Sequence, residues 1–480
     1  MYNFQILAIA SLVAFAGYVY CTLKGPLARI PGPWYSNWTD LVRIYYVLSG
    51  KGPSYVQSLH EKYGPLVRVS PHSVDVSDIT AARTVHNIKN EFPKSSWYYS
   101  FNSGENLFTT TDIPYHRRHR RLLSGPLSET GLKAMIPVID GKIQLTIQRM
   151  KQEMESRGAV DILKWWLFLT TDVIGQLTFG DSFNMLETGE KNQYIQDLED
   201  LAASSGLRMA FPKLSLLAGY LHIPGLQNAE VNTKRLVAYS EESLERHRKL
   251  VERDPENSPA TLFSKLYKAG EEGLSPAELR DEAQAYIIAG SDTTSNTLTY
   301  LVWSVCRSPI IKTKLVDELL TVPPKFTYDD IRDLPYLNMV IEETLRLYSA
   351  APAGLPRIVP PGGTDLAGHH LPAGSTVSTQ AYSLHRDPNV FPRAEEFIPE
   401  RWETPTKGMK DAFMPFGGGS RVCIGLHLAR MQLRLGTARF FHTFPRAEVS
   451  GLEKMSDEEM TPKLYFLIRP QQNRCLIRAW

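Results

Sequence analysis

The chain has 480 residues, 43% hydrophobic and 22% charged, and a formal charge of +2 from 53 basic and 51 acidic side chains. Such a balance excludes a disordered or low-complexity protein and makes no electrostatic case for a nucleic-acid partner. The 4 cysteines, Cys21, Cys306, Cys423 and Cys475, are far apart and unpaired in spacing, which excludes a disulfide framework and a cysteine-ligated zinc site.

From Phe4 to Leu23 the chain carries no charge, and only Gln5, Ser11 and Thr22 interrupt it modestly. At about 1.5 Å per residue, a helix of this length spans roughly 30 Å, the depth of a bilayer core. Met1-Tyr2-Asn3 lacks the positive start of a cleaved signal peptide, and the apolar run continues past Ala16, so residues 1–24 are expected to be an N-terminal membrane anchor. Lys24 and Arg29 follow the span, which predicts that the rest faces the cytoplasm and that Asn37-Trp38-Thr39 goes unglycosylated. Residues 25–33 hold three prolines and two glycines and predict a stiff, non-helical hinge. Nothing between 50 and 480 reads as a linker, so 34–480 is expected to be one domain.

Val67, Val69, Val74 and Val76 alternate with polar residues around Ser70-Pro71-His72 and predict a hairpin. Helical patterns dominate from about 130 to 350, and strand-like pieces return near 354–382 and 462–478. The expected class is mainly α with small β-sheets. One helix is well marked: Ser275-Pro276-Ala277-Glu278 forms a capping box, apolar residues recur at helical spacing, and Pro309 ends the run. Some thirty residues give a length of roughly 45–50 Å. Midway, Ala289-Gly290-Ser291-Asp292-Thr293-Thr294 breaks the apolar stripe; such local costs to a helix accompany function or an ordinary polar patch, and both stay open at this point.

Near the C-terminus, Phe416-Gly417-Gly418-Gly419-Ser420-Arg421-Val422-Cys423-Ile424-Gly425 precedes a helical stretch, Leu426 to Phe441. The glycines let backbone approach a bulky flat ligand. Cys423 sits where a helix N-terminus favours a thiolate, and Arg421 offers a permanent cation to an anionic group nearby. The Gly-Lys-Ser/Thr ending of a phosphate-binding loop is absent.

These residues resemble the haem-binding signature of the cytochrome P450 superfamily, matched by Phe416, Gly419, Arg421, Cys423 and Gly425. In order along the chain, Ala289-Gly290-x-Asp292-Thr293-Thr294 resembles the family's oxygen-activation motif, Glu343-x-x-Arg346 its conserved-helix pair, and Pro399-Glu400-Arg401-Trp402 its meander. The departures are His116-x-x-x-Arg120 where Trp-x-x-x-Arg is frequent, Gln432 for Glu, and Trp402 for Phe.

The resemblance implies a cytochrome P450 fold holding haem b, with the Cys423 thiolate as axial ligand, a ligand type that favours O–O cleavage. It implies that Thr293 holds oxygen and a water while Asp292 supplies protons. His116, Arg120, Arg421 and Arg357 would bind the haem propionates, the remaining arginines of His116–Arg121 would face an acidic electron-donor protein, and Phe416 and Gly425 would border the cofactor. Glu343, Arg346 and Arg401 would form a buried ionic cluster with a structural role. Ser96–Thr111 and Gly206–Leu226 are expected to wall and roof a lipophilic pocket at the membrane.

The activity so implied is a monooxygenase inserting one oxygen atom from O2 into a lipophilic small molecule, in the style of fungal secondary metabolism. Electrons would come from NADPH through a separate flavoprotein reductase, since no dinucleotide-binding fingerprint occurs in this chain. The setting implied is the endoplasmic reticulum membrane. The alternatives are a haem-thiolate isomerase or dehydratase without a reductase, and a non-catalytic membrane-tethered haem carrier or sensor.

Overall fold

In a computed structural model, residues 13, 17–20, 22–89, 92–101, 104–197, 226–254, 261–264 and 273–479 are described, with only the backbone given for 226–230. The Phe4–Leu23 run lies largely outside them, as does Gly206–Leu226 but for the backbone of Leu226. Among the described residues no helix is long and apolar enough to cross a membrane.

The valine alternation folds as expected: β1 (Leu66–Ser70) pairs antiparallel with β2 (Ser73–Val76). Two distant segments, β3 (Arg357–Ile358) and β4 (Thr376–Ser378), complete a four-stranded sheet in the order β1-β2-β4-β3. Every residue of β1 is buried, including the polar ones. The cause is Arg68, whose guanidinium donates to the carbonyls of Leu27, Ala28, Ile30 and Pro33. The hinge, whose three prolines leave it with fewer N–H donors than carbonyls, is thereby pinned to the sheet. A hairpin of β5 (Pro462–Leu464) and β6 (Ile468–Pro470) stands apart from that sheet.

Helices form the bulk. The elements that position the site are α1 (Ile113–Leu123), α2 (Ile136–Arg157), α3 (Ile162–Phe179), α4 (Pro276–Arg307), α5 (Pro335–Leu347) and α6 (Leu426–Thr443). The capping box at Ser275 and Glu278 is formed, and α4 runs unbroken for 32 residues, about 48 Å. From Thr294 to Cys306 every α4 residue is buried, so the helix is the axle of the core. Its neighbour α3 is mostly Leu, Ile, Phe and Trp and is buried on nearly all sides.

Two glycines set the helix spacing. A Cβ on Gly290 would lie 2.9 Å from Ile174 Cγ1 on α3, and one on Gly436 of α6 would lie 3.1 Å from Leu298 Cδ2. Gly290, read from sequence as a weak point in the helix, is a contact point between helices.

Candidate active site

The cysteine loop is built first by its backbone. Cys423 N–H donates to the Phe416 carbonyl at 2.9 Å, closing the loop, and Gly419–Arg421 forms one 3-10 turn before α6 begins at Leu426. Sequence reading assigned the loop's glycines to a flat ligand, and the geometry corrects this for Gly419. Its φ is +63, and a Cβ there would lie 1.8 Å from the His86 carbonyl oxygen. The protein's own backbone demands the glycine. Arg430 covers the Phe416 ring at 5.7 Å.

Cys423 keeps accessible surface, yet burial pushes its thiol above the ordinary range, against the Gly425 N–H and the Arg120 charge, which pull it down. The two observations agree if the sulfur faces a space inside the protein. The helix start alone therefore does not make a thiolate here; a coordinated metal ion would, because a metal-bound thiol deprotonates outright.

Around this loop the fold gathers the predicted basic residues and adds one. Arg120 Nη1 donates to the Val422 carbonyl beside Cys423. His116 is buried, and burial, then the charges of Arg421, Lys94, Arg120 and Arg357, lowers its pKa to about 2. Its Nδ1 has no hydrogen-bond partner among the described residues. Lys94, which carried no motif, is held well below the usual lysine range by burial and by Arg357 and Arg421. Its ammonium donates to the Phe108 carbonyl and lies 4.5 Å above the Tyr98 ring. The only hint of it in the sequence is a lone lysine between Phe92-Pro93 and an aromatic run.

Three guanidiniums crowded around a buried lysine and a neutral imidazole would be stabilised by a group carrying negative charge. One sulfur beside that cluster suits a flat ligand with an iron at its centre and carboxylates at its edge. The residues present fit a haem.

The middle of α4 presents a second candidate surface. Ile288 and Ala289 are exposed, and Asp292 and Thr293 partly so, within a helix otherwise buried beyond them. Side chains here bond back to their own helix: Ser291 to the Ile287 carbonyl, Thr293 to Ala289, Asn296 to Asp292 and Thr297 to Thr293. Such back-bonding weakens the ladder locally. Thr293 Oγ1 lies 2.8 Å from the Ala289 carbonyl, and Asp292 Oδ2 lies 3.6 Å from Arg469 Nη2. Arg469 was not singled out from the sequence, where nothing marks its register against α4.

Helix α1 is locked to α4 upstream. His119 Nδ1 is 2.8 Å from Glu282 Oε1, and its Nε2 is 3.1 Å from Glu278 Oε1. Arg118 also turns to Glu278, at 2.7 Å. Arg118 is thus engaged within the protein while still partly exposed, and Arg117 and Arg121 lie on the exposed side.

Glu343, Arg346 and Arg401 are brought together beneath the loop. Arg346 donates to both oxygens of Glu343, at 2.8 and 2.9 Å, and Arg401 Nε donates at 3.0 Å. Trp402 Nε1 donates to Glu343 at 2.9 Å, a partner that sequence reading recorded only as a departure. A further link went unforeseen. The His385 Nδ1–H donates to the Arg346 carbonyl, and Nε2 accepts from Met414 N–H, both at 2.8 Å. Met414 opens the cysteine loop, so the ionic cluster is tied to that loop through one imidazole.

Of the expected pocket wall, Trp97, Phe101 and Phe108 pack on Phe466, in the turn between β5 and β6, at 5.0 to 5.9 Å. Tyr98 is buried against Lys94 instead.

A family model described as Cytochrome P450 matches residues 30–476. The chain is 47% identical to cytochrome P450 monooxygenase tazI of Aspergillus terreus, over 98% of each chain. It is 40% identical to cytochrome P450 monooxygenase orf2 of Aspergillus niger, over 96% of this chain and 95% of the relative. To cytochrome P450 monooxygenase stcB of Emericella nidulans it is 34% identical, over 94% and 88%.

Proposed function

The chain belongs to the cytochrome P450 family, and on that premise we propose that it inserts one oxygen atom from dioxygen into a lipophilic small molecule, an intermediate of secondary metabolism. Electrons come from NADPH through a separate flavoprotein reductase. The enzyme class is monooxygenase. The site assignment is supported by Cys423 lying beside Arg120 and the basic cluster, and separately by the exposed stretch of α4 at Ala289 and Thr293.

Haem b would be held by the Cys423 thiolate and, when bound, would supply the iron chemistry for dioxygen activation. The chain's own residues do the rest. His116, Lys94, Arg120, Arg357 and Arg421 would hold the propionates, His116 as a neutral donor and the arginines as permanent cations. The Phe416 carbonyl, Arg120 and the Gly425 N–H fix the sulfur in place. Thr293 offers a hydroxyl that here donates to the Ala289 carbonyl and can turn to a water or to the oxygen site. Asp292, partly exposed beside it, passes protons inward from solvent. Trp97, Phe101, Phe108 and Phe466 give the substrate an apolar wall.

Residues 1–24 anchor the enzyme in the endoplasmic reticulum membrane, residues 25–33 are the hinge, and residues 34–480 are the catalytic domain on the cytoplasmic side. The apolar run Phe4–Leu23 followed by Lys24 and Arg29 supports this orientation.

The test is to supply NADPH, a microsomal reductase and isotopically labelled dioxygen to the purified protein with ligands found by a spin-state screen. One labelled oxygen atom in the product is expected. Turnover of an organic peroxide without reductant would mark an isomerase or dehydratase instead. Cys423→Ala is expected to abolish the red-shifted carbon monoxide band of a thiolate-ligated haem, and an unchanged band would refute the ligand assignment.

A further inference from the structure

Asp292 does not stand alone on the face of α4. Arg469, on β6, brings Nη2 to 3.6 Å from its Oδ2. That separation exceeds the 2.7–2.9 Å or so of a charge-assisted hydrogen bond, and the two side chains are 38% and 29% exposed. The pair is loose and hydrated, with a worth at the low end for ion pairs.

The position of Arg469 is set from two directions. Residues 462–464 and 468–470 pair in register, Ile468 with Leu464 and Arg469 with Lys463, so the hairpin is short and stiff. The backbone N–H groups of Leu464 and Ile468 are tied to the Gly50 and Ala350 carbonyls at 2.7 and 2.9 Å. In the turn three residues before Arg469, the Phe466 ring packs on Trp97, Phe101 and Phe108. The same hairpin therefore carries an aromatic face of the pocket wall and the cation that meets Asp292.

From this juxtaposition we infer that Arg469 is a positioning residue for proton delivery: it holds the Asp292 carboxylate where protons from solvent reach the oxygen site, and the hairpin links that hold to the pocket wall. The inference rests on the proposed role of Asp292. Arg469 itself neither gives nor takes a proton.

Its consequence can be read without knowing the substrate. With NADPH and a microsomal reductase alone, dioxygen takes two electrons and two protons to leave as peroxide, or four electrons and four protons to leave as two waters. NADPH oxidised per dioxygen consumed distinguishes the two, and delayed protons favour peroxide. Arg469→Gln is expected to keep the carbon monoxide band and to raise the peroxide share on the order of two- to fivefold, the range that a partly exposed ion pair supports. Arg469→Lys restores most of the wild-type ratio, and Asp292→Asn/Arg469→Gln is no worse than Asp292→Asn alone.

A second readout needs no turnover. Amide hydrogen exchange across residues 462–470 of the haem-loaded protein is expected to quicken equally in Arg469→Gln and Asp292→Asn. If Asp292→Asn shifts the ratio and Arg469→Gln does not, or if the two effects add in full, the positioning role is overturned. Unchanged exchange in both variants overturns it as well. An Asp292→Asn enzyme with wild-type partition would instead remove the proton-delivery reading of Asp292 itself.

Discussion

Glu343 shows how much one carboxylate organises. It is fully buried, and it accepts from Arg346, Arg401, Trp402 Nε1 and the Ile398 backbone N–H. A buried charge satisfied this completely is stable only as a set, since losing one donor leaves lone pairs without water to replace it. Trp402 is the member that sequence reading passed over. Trp402→Phe keeps the ring against Phe413 and Phe391 and deletes only the indole donor. It is expected to cost about 1.5–3 kcal/mol of unfolding free energy, the worth of a hydrogen bond to a charged group. A denaturant midpoint unchanged from wild type would show that Glu343 needs no fourth partner.

Among the elements, the crossing of α3 and α4 decides where the site's open face lies. Gly290 sits one residue from Ala289 and two from Asp292, and its missing side chain lets Ile174 approach. In an isolated helix Gly290→Ala would stabilise by roughly 0.5–1 kcal/mol. Against α3 the added methyl meets Ile174 Cγ1 at 2.9 Å, and overpacking of this kind costs about 1–3 kcal/mol. The net expectation is destabilisation in wild type that disappears, or reverses, in an Ile174→Ala background. A double-mutant cycle by equilibrium denaturation measures this coupling. Strict additivity would mean that the helices part without cost and that the glycine serves something else.

For the whole molecule, acid is the natural probe of how the cysteine loop is tied to its support. His385 is buried, and burial, followed by the Arg346 and Arg386 charges and against its bond to the Arg346 carbonyl, lowers its pKa from 6.5 to about 3. In the folded state its Nε2 accepts from Met414 N–H, so protonation would set N–H against N–H. The unfolded chain binds this proton below pH 6.5 and the folded one does not until about pH 3, so stability falls as pH falls through that window. The slope due to one such group is about 1.4 kcal/mol per pH unit. His385→Gln is expected to flatten the acid limb of unfolding free energy by that slope, whatever it does to stability at neutral pH. An identical acid limb in both proteins would show that His385 titrates normally in the fold.

Much of the architecture was legible from local chemistry. Ser275, Glu278 and the spacing that follows determined α4, Val67 to Val76 determined the first hairpin, and the order of four motifs announced the family before any coordinates. Those features depend on neighbours a few residues apart, where side-chain type and spacing act directly. Lys94, His385, Trp402 and Arg469 were not legible, because each acquires its role from a partner far along the chain: Lys94 from Arg357, His385 from Met414, Trp402 from Glu343, Arg469 from Asp292. The glycine of the cysteine loop was foreseen and its reason was not, since only the fold sets the His86 carbonyl against Gly419. By itself the sequence determined which residue types the chemistry needs and which helices and strands carry them. Which charges share a space, which glycines are forced by a passing backbone and which cation meets the Asp292 carboxylate were decided by tertiary structure, because electrostatics and close packing act through distance in space and not along the chain.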